Sequence, residues 1–167
     1  CINSDLANNY GNLCQRVTTF AIKNCDGKIP LKVKFNDEDL LILNKYKDNL
    51  DNIRSQIDNQ NINFYIDYIV NSLFEANKYF NDQEPWKKKD DIVRLNTIVY
   101  TTLEIVRKIS FLLYPIIPES SLKALKIFDI EEKNIKLDSV SNNEYLTKNN
   151  NINIIDILFK KIEKNND

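Results

Sequence analysis

The most informative stretch of the sequence is Asn3-Ser-Asp-Leu-Ala-Asn-Asn-Tyr-Gly-Asn-Leu-Cys-Gln-Arg16. At the 3.6-residue period of a helix it carries two stripes. The apolar stripe comprises Leu6, Leu13, Val17 and Phe20, with Ala7 and Tyr10 at its edges. The polar stripe comprises Asn8, Asn12 and Arg16, each four residues from the next, so these side chains are neighbours on a helix surface. The stretch therefore predicts an amphipathic helix.

The polar stripe is open to two interpretations. An amide offers a donor and an acceptor together, and a guanidinium offers a fork of donors, which are the groups that read the edges of nucleic-acid bases. However, a polar stripe opposite an apolar one is also what an ordinary solvated helix face looks like. The stripe alone does not decide between them.

Length and composition predict one helical domain. The chain has 167 residues with only two glycines and four prolines, fewer than a sheet with many tight turns would need. Its net charge is −1, whereas a protein that holds nucleic acid mainly through phosphates would be basic. Any nucleic-acid contact should therefore be local and partly directed at bases.

Several kinds of site are disfavoured by the sequence. There is no histidine and no Cys-x-x-Cys, so we expect no metal site and no Ser-His or Cys-His nucleophile. Three cysteines without paired spacing fit a reducing compartment, the cytoplasm. No apolar run is long enough for a membrane span, and no signal peptide is recognisable. Because the first residue is Cys1 and the next are polar, we expect a piece of a longer chain.

The remaining apolar periodicity predicts an all-α bundle. We expect five main helices, over about residues 4–22, 36–59, 61–81, 89–114 and 119–127, with Ser4 capping the first. The alternation over residues 29–35 is interpreted as an extended loop because Pro30 interrupts it. The fourth helix is the most apolar and should lie centrally, with Arg107 and Lys108 at its surface.

The C-terminal third is predicted to be less ordered than the bundle. We assign residues 1–129 to the helical bundle and residues 130–153 to a loose, Asn-rich connection. Residues 154–167 should form a short C-terminal helix that packs back within the same domain. Its apolar face comprises Ile154, Ile155, Leu158, Phe159 and Ile162.

A second stretch, Glu75-Ala-Asn-Lys-Tyr-Phe-Asn-Asp-Gln-Glu-Pro-Trp86, ends in the one tryptophan of the chain. Together with the first stretch, and with Leu113-Tyr-Pro-Ile-Ile-Pro-Glu119, it closely resembles the anticodon-binding domain of bacterial methionyl-tRNA synthetase. This domain is a helical bundle found in class I aminoacyl-tRNA synthetases. The resemblance covers nearly the whole chain, fading after about Asp129 and returning weakly in Leu158-Phe-Lys-Lys-Ile-Glu163.

The resemblance implies roles for individual residues. Asn12 and Arg16 would hydrogen-bond the edge of the wobble cytosine of the CAU anticodon, with Asn8 contacting or orienting the same region. Trp86 would stack on that base, and Pro85 would position Trp86. The neighbouring lysines, Lys87, Lys88 and Lys89, would support binding near phosphates. Asn77, in the same matched stretch, is expected to be structural and to bond a backbone group.

The resemblance also implies a function for the longer chain. The parent enzyme would join methionine to its tRNA with ATP and magnesium, in a catalytic part that this chain lacks. The two ATP-handling motifs of the family, His-Ile-Gly-His and Lys-Met-Ser-Lys-Ser, are absent, so this chain alone should be inactive. The expected partners are the anticodon loop of the methionine tRNA and the enzyme's own catalytic domain, with no DNA and no membrane.

Two alternatives stay open at this point. The bundle is shared with the synthetases for cysteine, valine, isoleucine and leucine, although Asn-x-x-x-Arg with a distant Pro-Trp favours methionine. The other alternative is a non-enzymatic helical module in which Asn8, Asn12 and Arg16 contact a protein. Departures from the family pattern are the lysines after Trp86, Lys160-Lys161 in place of Pro-Arg, and the Asn-rich segment; they bear on the C-terminal docking rather than on the anticodon site.

Overall fold

Six α-helices dominate the computed structural model, which describes residues 2–154, with side chains described from residue 5 onward. The helices are α1 (Ile2–Asn24), α2 (Asp37–Asp48), α3 (Leu50–Asp58), α4 (Ile62–Gln83), α5 (Ile92–Leu113) and α6 (Pro118–Leu125). One short 3-10 segment, Pro85–Lys87, lies between α4 and α5. The others come after α6, at Lys126–Phe128, Glu132–Asn134 and Leu137–Ser141. Within residues 2–154 there is no β-strand, only one isolated bridge between Lys28 and Asn151. The all-α prediction is confirmed.

The main difference in helix boundaries is a break at Asn49. The helix predicted over residues 36–59 is two helices, α2 and α3. The Asn49 side-chain amide donates to the carbonyl of Lys45 at 2.7 Å, and a side chain that bonds nearby backbone competes with helix continuation. A second difference lies at the N-terminus. Helix α1 begins at Ile2, so Ser4 lies inside the helix and is not its N-cap.

The apolar stripe of α1 faces the core as predicted. Leu6, Leu13 and Val17 are buried, as is Tyr10 at the edge of the stripe, and Phe20 is half-buried. In α4 the buried aromatic residue near the start is Tyr65, which donates to the Leu112 carbonyl, whereas the neighbouring Phe64 is exposed. Leu40 of α2 and Ile57 of α3 are exposed as well. The link over residues 29–35 is irregular, with a bend at Leu31 and Lys32, and contains no strand.

Helices α1 and α4 both run antiparallel to α5 and therefore parallel to each other. For α1 the contacts that fix this direction are Tyr10 with Ser110 and Cys25 with Asn96; for α4 they are Tyr65 with the Leu112 carbonyl and Gln83 with Arg94. The C-terminal ends of α1 and α4 consequently lie together, near the start of α5.

Helix α5 occupies the centre of the bundle, and its burial corrects the prediction for two charged residues. Arg107 and Lys108, expected at the surface, are fully buried. The Arg107 guanidinium donates to the Glu104 carboxylate at 2.7 Å and to the Ser139 carbonyl at 2.6 Å. The Lys108 ammonium donates to the Val140 carbonyl at 2.6 Å. Burial, reinforced by the Arg107 charge, lowers the pKa of Lys108 to about 7.

These buried charges organise the segment over residues 130–153, which is not the loose connection that the sequence suggested. The Glu104 carboxylate also accepts the Leu146 backbone N–H at 2.7 Å. Val140, Leu146 and Ile152 are buried, and the Ile152 N–H donates to the Gly27 carbonyl at 2.8 Å. The C-terminal helix predicted beyond Ile154 lies outside the described residues.

We predict that Glu104→Gln destabilises the domain by about 3–5 kcal/mol, because it leaves the buried Arg107 charge without its counter-ion. Urea unfolding followed by circular dichroism measures the change. The matched control is Glu131→Gln, since Glu131 pairs with Lys133 at the exposed surface and should contribute at most about 1 kcal/mol. Equal, small effects of the two variants would contradict this account of the segment.

Candidate nucleic-acid interface

The predicted polar residues of α1 and Trp86 lie at one face of the bundle, beside the C-terminal half of α4. Asn8 and Asn12 are exposed and Arg16 is half-buried. Trp86 follows the end of α4 directly, on the 3-10 segment Pro85–Lys87. We call the surface formed by Asn8, Asn12 and Arg16 of α1, Asn81 of α4 and Trp86 the α1–α4 face.

Arg16 links the two parts of this face. Its guanidinium carbon lies 4.9 Å from the centre of the Phe80 ring and 5.7 Å from the centre of the Trp86 ring. Its Nη2 donates to the side-chain oxygen of Asn81 on α4. The guanidinium thus lies within cation–π distance of two aromatic rings and is oriented by one hydrogen bond. An ordinary surface arginine at this position would pair with Asp5 or Asp82. Arg16 instead contacts Asn81, Phe80 and Trp86.

Trp86 is held from one side and open on the other. Its ring contacts the Phe80 ring edge-on, with the centroids 6.0 Å apart, and Phe80 in turn packs against Phe20 of α1 at 5.7 Å. The indole keeps 40% of its surface exposed. An edge contact leaves a ring face available to a further stacking partner.

The turn that carries Trp86 is set by the sequence just before it. Pro85 cannot donate a backbone hydrogen bond or continue α4, which ends at Gln83. Glu84 takes a left-handed backbone conformation, φ 47°, and reverses the chain. Pro85 is buried, so the turn is anchored in the core while Trp86 projects outward.

The three lysines after Trp86 differ in their surroundings. Lys87 is exposed and pairs with Glu84 at 2.6 Å across one turn. Lys88 is half-buried, and Lys89 is exposed. An exposed ion pair of this kind contributes little to stability, so Lys87 stays available to a stronger anionic partner.

A largely buried ion pair at the end of α4 was not predicted from the sequence. Arg94 of α5 makes two hydrogen bonds to the Asp39 carboxylate, at 2.7 and 2.9 Å, and a third to Gln83 at 2.7 Å. The Tyr79 hydroxyl also donates to Asp39. The pair therefore ties the start of α2 and the end of α4 to α5. The spacing Asn36-x-x-Asp39, a reciprocal cap in the structure, was the signal available in the sequence.

The Asp39 carboxyl is charged despite its burial. Burial disfavours the charged form, but hydrogen bonds from Arg94, Tyr79 and the Asn36 N–H outweigh it and hold the pKa of Asp39 below its ordinary value. The charge is therefore part of the folded structure at neutral pH.

Asn77 bonds the Leu73 carbonyl at 3.1 Å, which confirms its structural role. Among residues 2–154 no group of acidic, cysteine or histidine side chains could hold a metal ion, and no helix is long and apolar enough to cross a membrane. Cys14 is buried and Cys25 half-buried, and both thiols are free.

Comparison with known proteins gives consistent matches. Residues 29–167 match the family model described as the anticodon binding domain of methionyl tRNA ligase. The chain is 38% identical to the methionine–tRNA ligase of Brucella suis over 129 residues, which is 77% of this chain and 25% of that protein. With the Mycobacterium leprae enzyme the identity is 37% over 145 residues, 84% of this chain and 27% of that protein. The chain thus spans about a quarter of these relatives.

Solved structures agree with the sequence matches. The Mycobacterium tuberculosis methionyl-tRNA synthetase in its apo form superposes with a TM-score of 0.81 and 33% identity, over 91% of this chain and 31% of that one. The same enzyme bound by methionyl-adenylate gives the same values. The family match begins at residue 29, so it includes Trp86, whereas Asn8, Asn12 and Arg16 precede it.

We predict that the Asp39–Arg94 pair makes stability depend on pH in the acid range. Because the folded pKa of Asp39 is depressed, the stabilisation is complete above the unfolded pKa of about 3.9 and is lost as the pH falls through the folded value. Unfolding free energies of the wild type should therefore fall between about pH 5 and pH 2 more steeply than those of Asp39→Asn. Asp82→Asn, a change at an exposed aspartate, is the control and should keep the wild-type slope; parallel curves for wild type and Asp39→Asn would contradict the assignment.

Proposed function

The chain belongs to the methionyl-tRNA ligase family, as its anticodon-binding domain, and from this premise we propose that the α1–α4 face reads the CAU anticodon of the methionine tRNA. Arg16 and Asn12 hydrogen-bond the edge of the wobble cytosine, and Asn8 contacts or orients the same region. Trp86 stacks on that base. Pro85 positions Trp86, and Lys87, Lys88 and Lys89 attract the neighbouring phosphates.

The observation that carries this proposal is the shared packing of Arg16 and Trp86 against Phe80. It brings a fork of donors and an exposed aromatic ring to one place, 5.7 Å apart. Single-stranded bases are recognised by this combination, splayed out, stacked on an aromatic ring and bonded at the pairing edge. Asn81 and Phe80 hold the guanidinium before any base arrives, which reduces the entropy lost on binding.

Two energetic contributions would give the specificity. Stacking on an aromatic side chain contributes about 1–3 kcal/mol per base for any base, because every base has a π-face. A bidentate contact to a base edge discriminates by about 1–3 kcal/mol between right and wrong bases. Trp86 would therefore supply affinity and Arg16 with Asn12 would supply selectivity. A net charge of −1 suits a site that depends on bases more than on phosphates.

The activity of the whole enzyme belongs to the same proposal. We propose that this domain selects the tRNA for an enzyme that joins methionine to it with ATP and magnesium, in the cytoplasm. The solved relative that binds methionyl-adenylate supports ATP use by such an enzyme. The catalytic domain is then the second partner of this chain, which by itself holds the tRNA and performs no chemical step.

Because the chain belongs to the methionyl family, it is not the equivalent domain of a cysteine, valine, isoleucine or leucine enzyme. The other alternative, a protein-interaction module, makes a different prediction. It requires no effect of RNA on Trp86 and no effect of the wobble base on binding.

We predict that Arg16→Lys reduces discrimination at the wobble base about ten-fold, since a lysine ammonium cannot make the paired contacts of a guanidinium. The measurement compares dissociation constants for two anticodon stem-loops, one with the CAU triplet and one with its cytosine changed to uracil. Fluorescence anisotropy with labelled RNA at low salt is suitable.

The matched control is Arg54→Lys, the same chemical change on α3, where Arg54 pairs with Asp138. This variant should discriminate as the wild type does. If Arg16→Lys keeps the full preference for the CAU loop, Arg16 does not read the base and its proposed role is wrong.

A further inference from the structure

One large aromatic side chain outside the contacts described so far lies on α4. Phe74 keeps 68% of its surface exposed, more than any other aromatic residue among those with described side chains. Exposing so much apolar surface on a helix that packs well elsewhere has a cost in water. A singly exposed hydrophobic side chain is common on protein surfaces, so Phe74 becomes a candidate binding element only through what lies beside it.

The position of Phe74 follows from the contact between Arg16 and Asn81. Phe74 lies seven residues before Asn81 on α4, and Asn9 lies seven residues before Arg16 on α1. Seven residues are almost two full helical turns. Phe74 therefore lies on nearly the same stripe of α4 as Asn81, and Asn9 on nearly the same stripe of α1 as Arg16. Since α1 and α4 run parallel, Asn9 and Phe74 lie at the same level of the bundle, about 10.5 Å from the level of Arg16 and Asn81.

The two levels have the same chemistry. At the first, a fork of donors from α1 lies beside an exposed ring, that of Trp86. At the second, an exposed amide from α1, Asn9, lies level with an exposed ring on α4, that of Phe74. Asn77 lies on α4 between the two levels, and its side-chain amide already donates to the Leu73 carbonyl. Amides read base edges and rings stack on base faces.

We propose that Asn9 and Phe74 form a second base subsite, which takes one of the two anticodon bases that follow the wobble cytosine. The proposal rests on the proposed function, because it assumes that the first base lies between Arg16 and Trp86. The two steps from the first to the third base of a triplet rise only about 7 Å when the bases are stacked, at about 3.4 Å each. An anticodon triplet therefore reaches both levels, about 10.5 Å apart, with its bases splayed out, as single-stranded bases are when proteins recognise them.

The test is a mutant cycle between Phe74 and the RNA. Phe74→Leu removes the ring and keeps an apolar side chain on the helix. Its dissociation constant for the CAU stem-loop should rise about ten-fold, since a base loses its stacking partner. The matched control is Phe64→Leu, the same change at another exposed phenylalanine of α4, which should leave binding unchanged. Circular dichroism checks that both variants are folded.

The RNA half of the cycle identifies the base. Two further stem-loops carry an abasic nucleotide at the second or at the third anticodon position. The effect of Phe74→Leu should vanish with one of them and persist with the other, because a base that is absent cannot lose stacking. Asn9→Ala should lose affinity for the same base as Phe74→Leu.

The possible results separate this proposal from the proposed function. If the wild type binds the CAU loop and Phe74→Leu binds it equally well, the second subsite is overturned while the first stands, and the exposed ring serves a protein contact instead. An effect of Phe74→Leu that persists with both abasic loops also overturns it. If the wild type fails to bind the CAU loop, both proposals fall.

Discussion

The structure depends on one constraint, that the charged side chains of α5 must find partners inside the bundle. Helix α5 is buried over most of its length, and a buried charge without a counter-ion or hydrogen bonds is expensive. Glu104 and Arg107 pair with each other, and Arg107 and Lys108 donate to backbone carbonyls of residues 139–142. These bonds, together with the buried side chains of Val140, Leu146 and Ile152, fix the segment after α6. At the other end of α5, Arg94 pairs with Asp39.

The same constraint positions the α1–α4 face. Arg94 bonds both Asp39, at the start of α2, and Gln83, the last residue of α4. The position at which α4 ends sets the positions of Pro85 and Trp86. The α1–α4 face forms only if Trp86 contacts Phe80 and Arg16. The Asp39–Arg94 pair thus fixes the end of the helix that precedes Trp86. Neither Asp39 nor Arg94 needs to touch a ligand for both to matter.

The sequence predicted this molecule well where local periodicity decides, and poorly where distant side chains do. The apolar stripe of α1, the central position of α5 and the end of α4 before Pro85 all follow from spacing and proline chemistry. The burial of Arg107 and Lys108 could not be read locally, because their acceptors are carbonyls more than thirty residues away. Arg16, Asn12 and Trp86 were proposed through a resemblance, but nothing in the sequence singled out Phe80, which contacts both Arg16 and Trp86.

The central claim is that one arginine and one tryptophan, packed on a shared ring, read a base. Trp86 is the one tryptophan of the chain, so its fluorescence reports on this place alone. The most direct measurement is a fluorescence titration with the CAU stem-loop at low salt, beside a loop with the cytosine changed and beside Trp86→Phe protein. We expect quenching by the CAU loop, much weaker quenching by the changed loop, and no signal from Trp86→Phe. Equal quenching by both loops, or binding of neither by folded protein, would contradict the account.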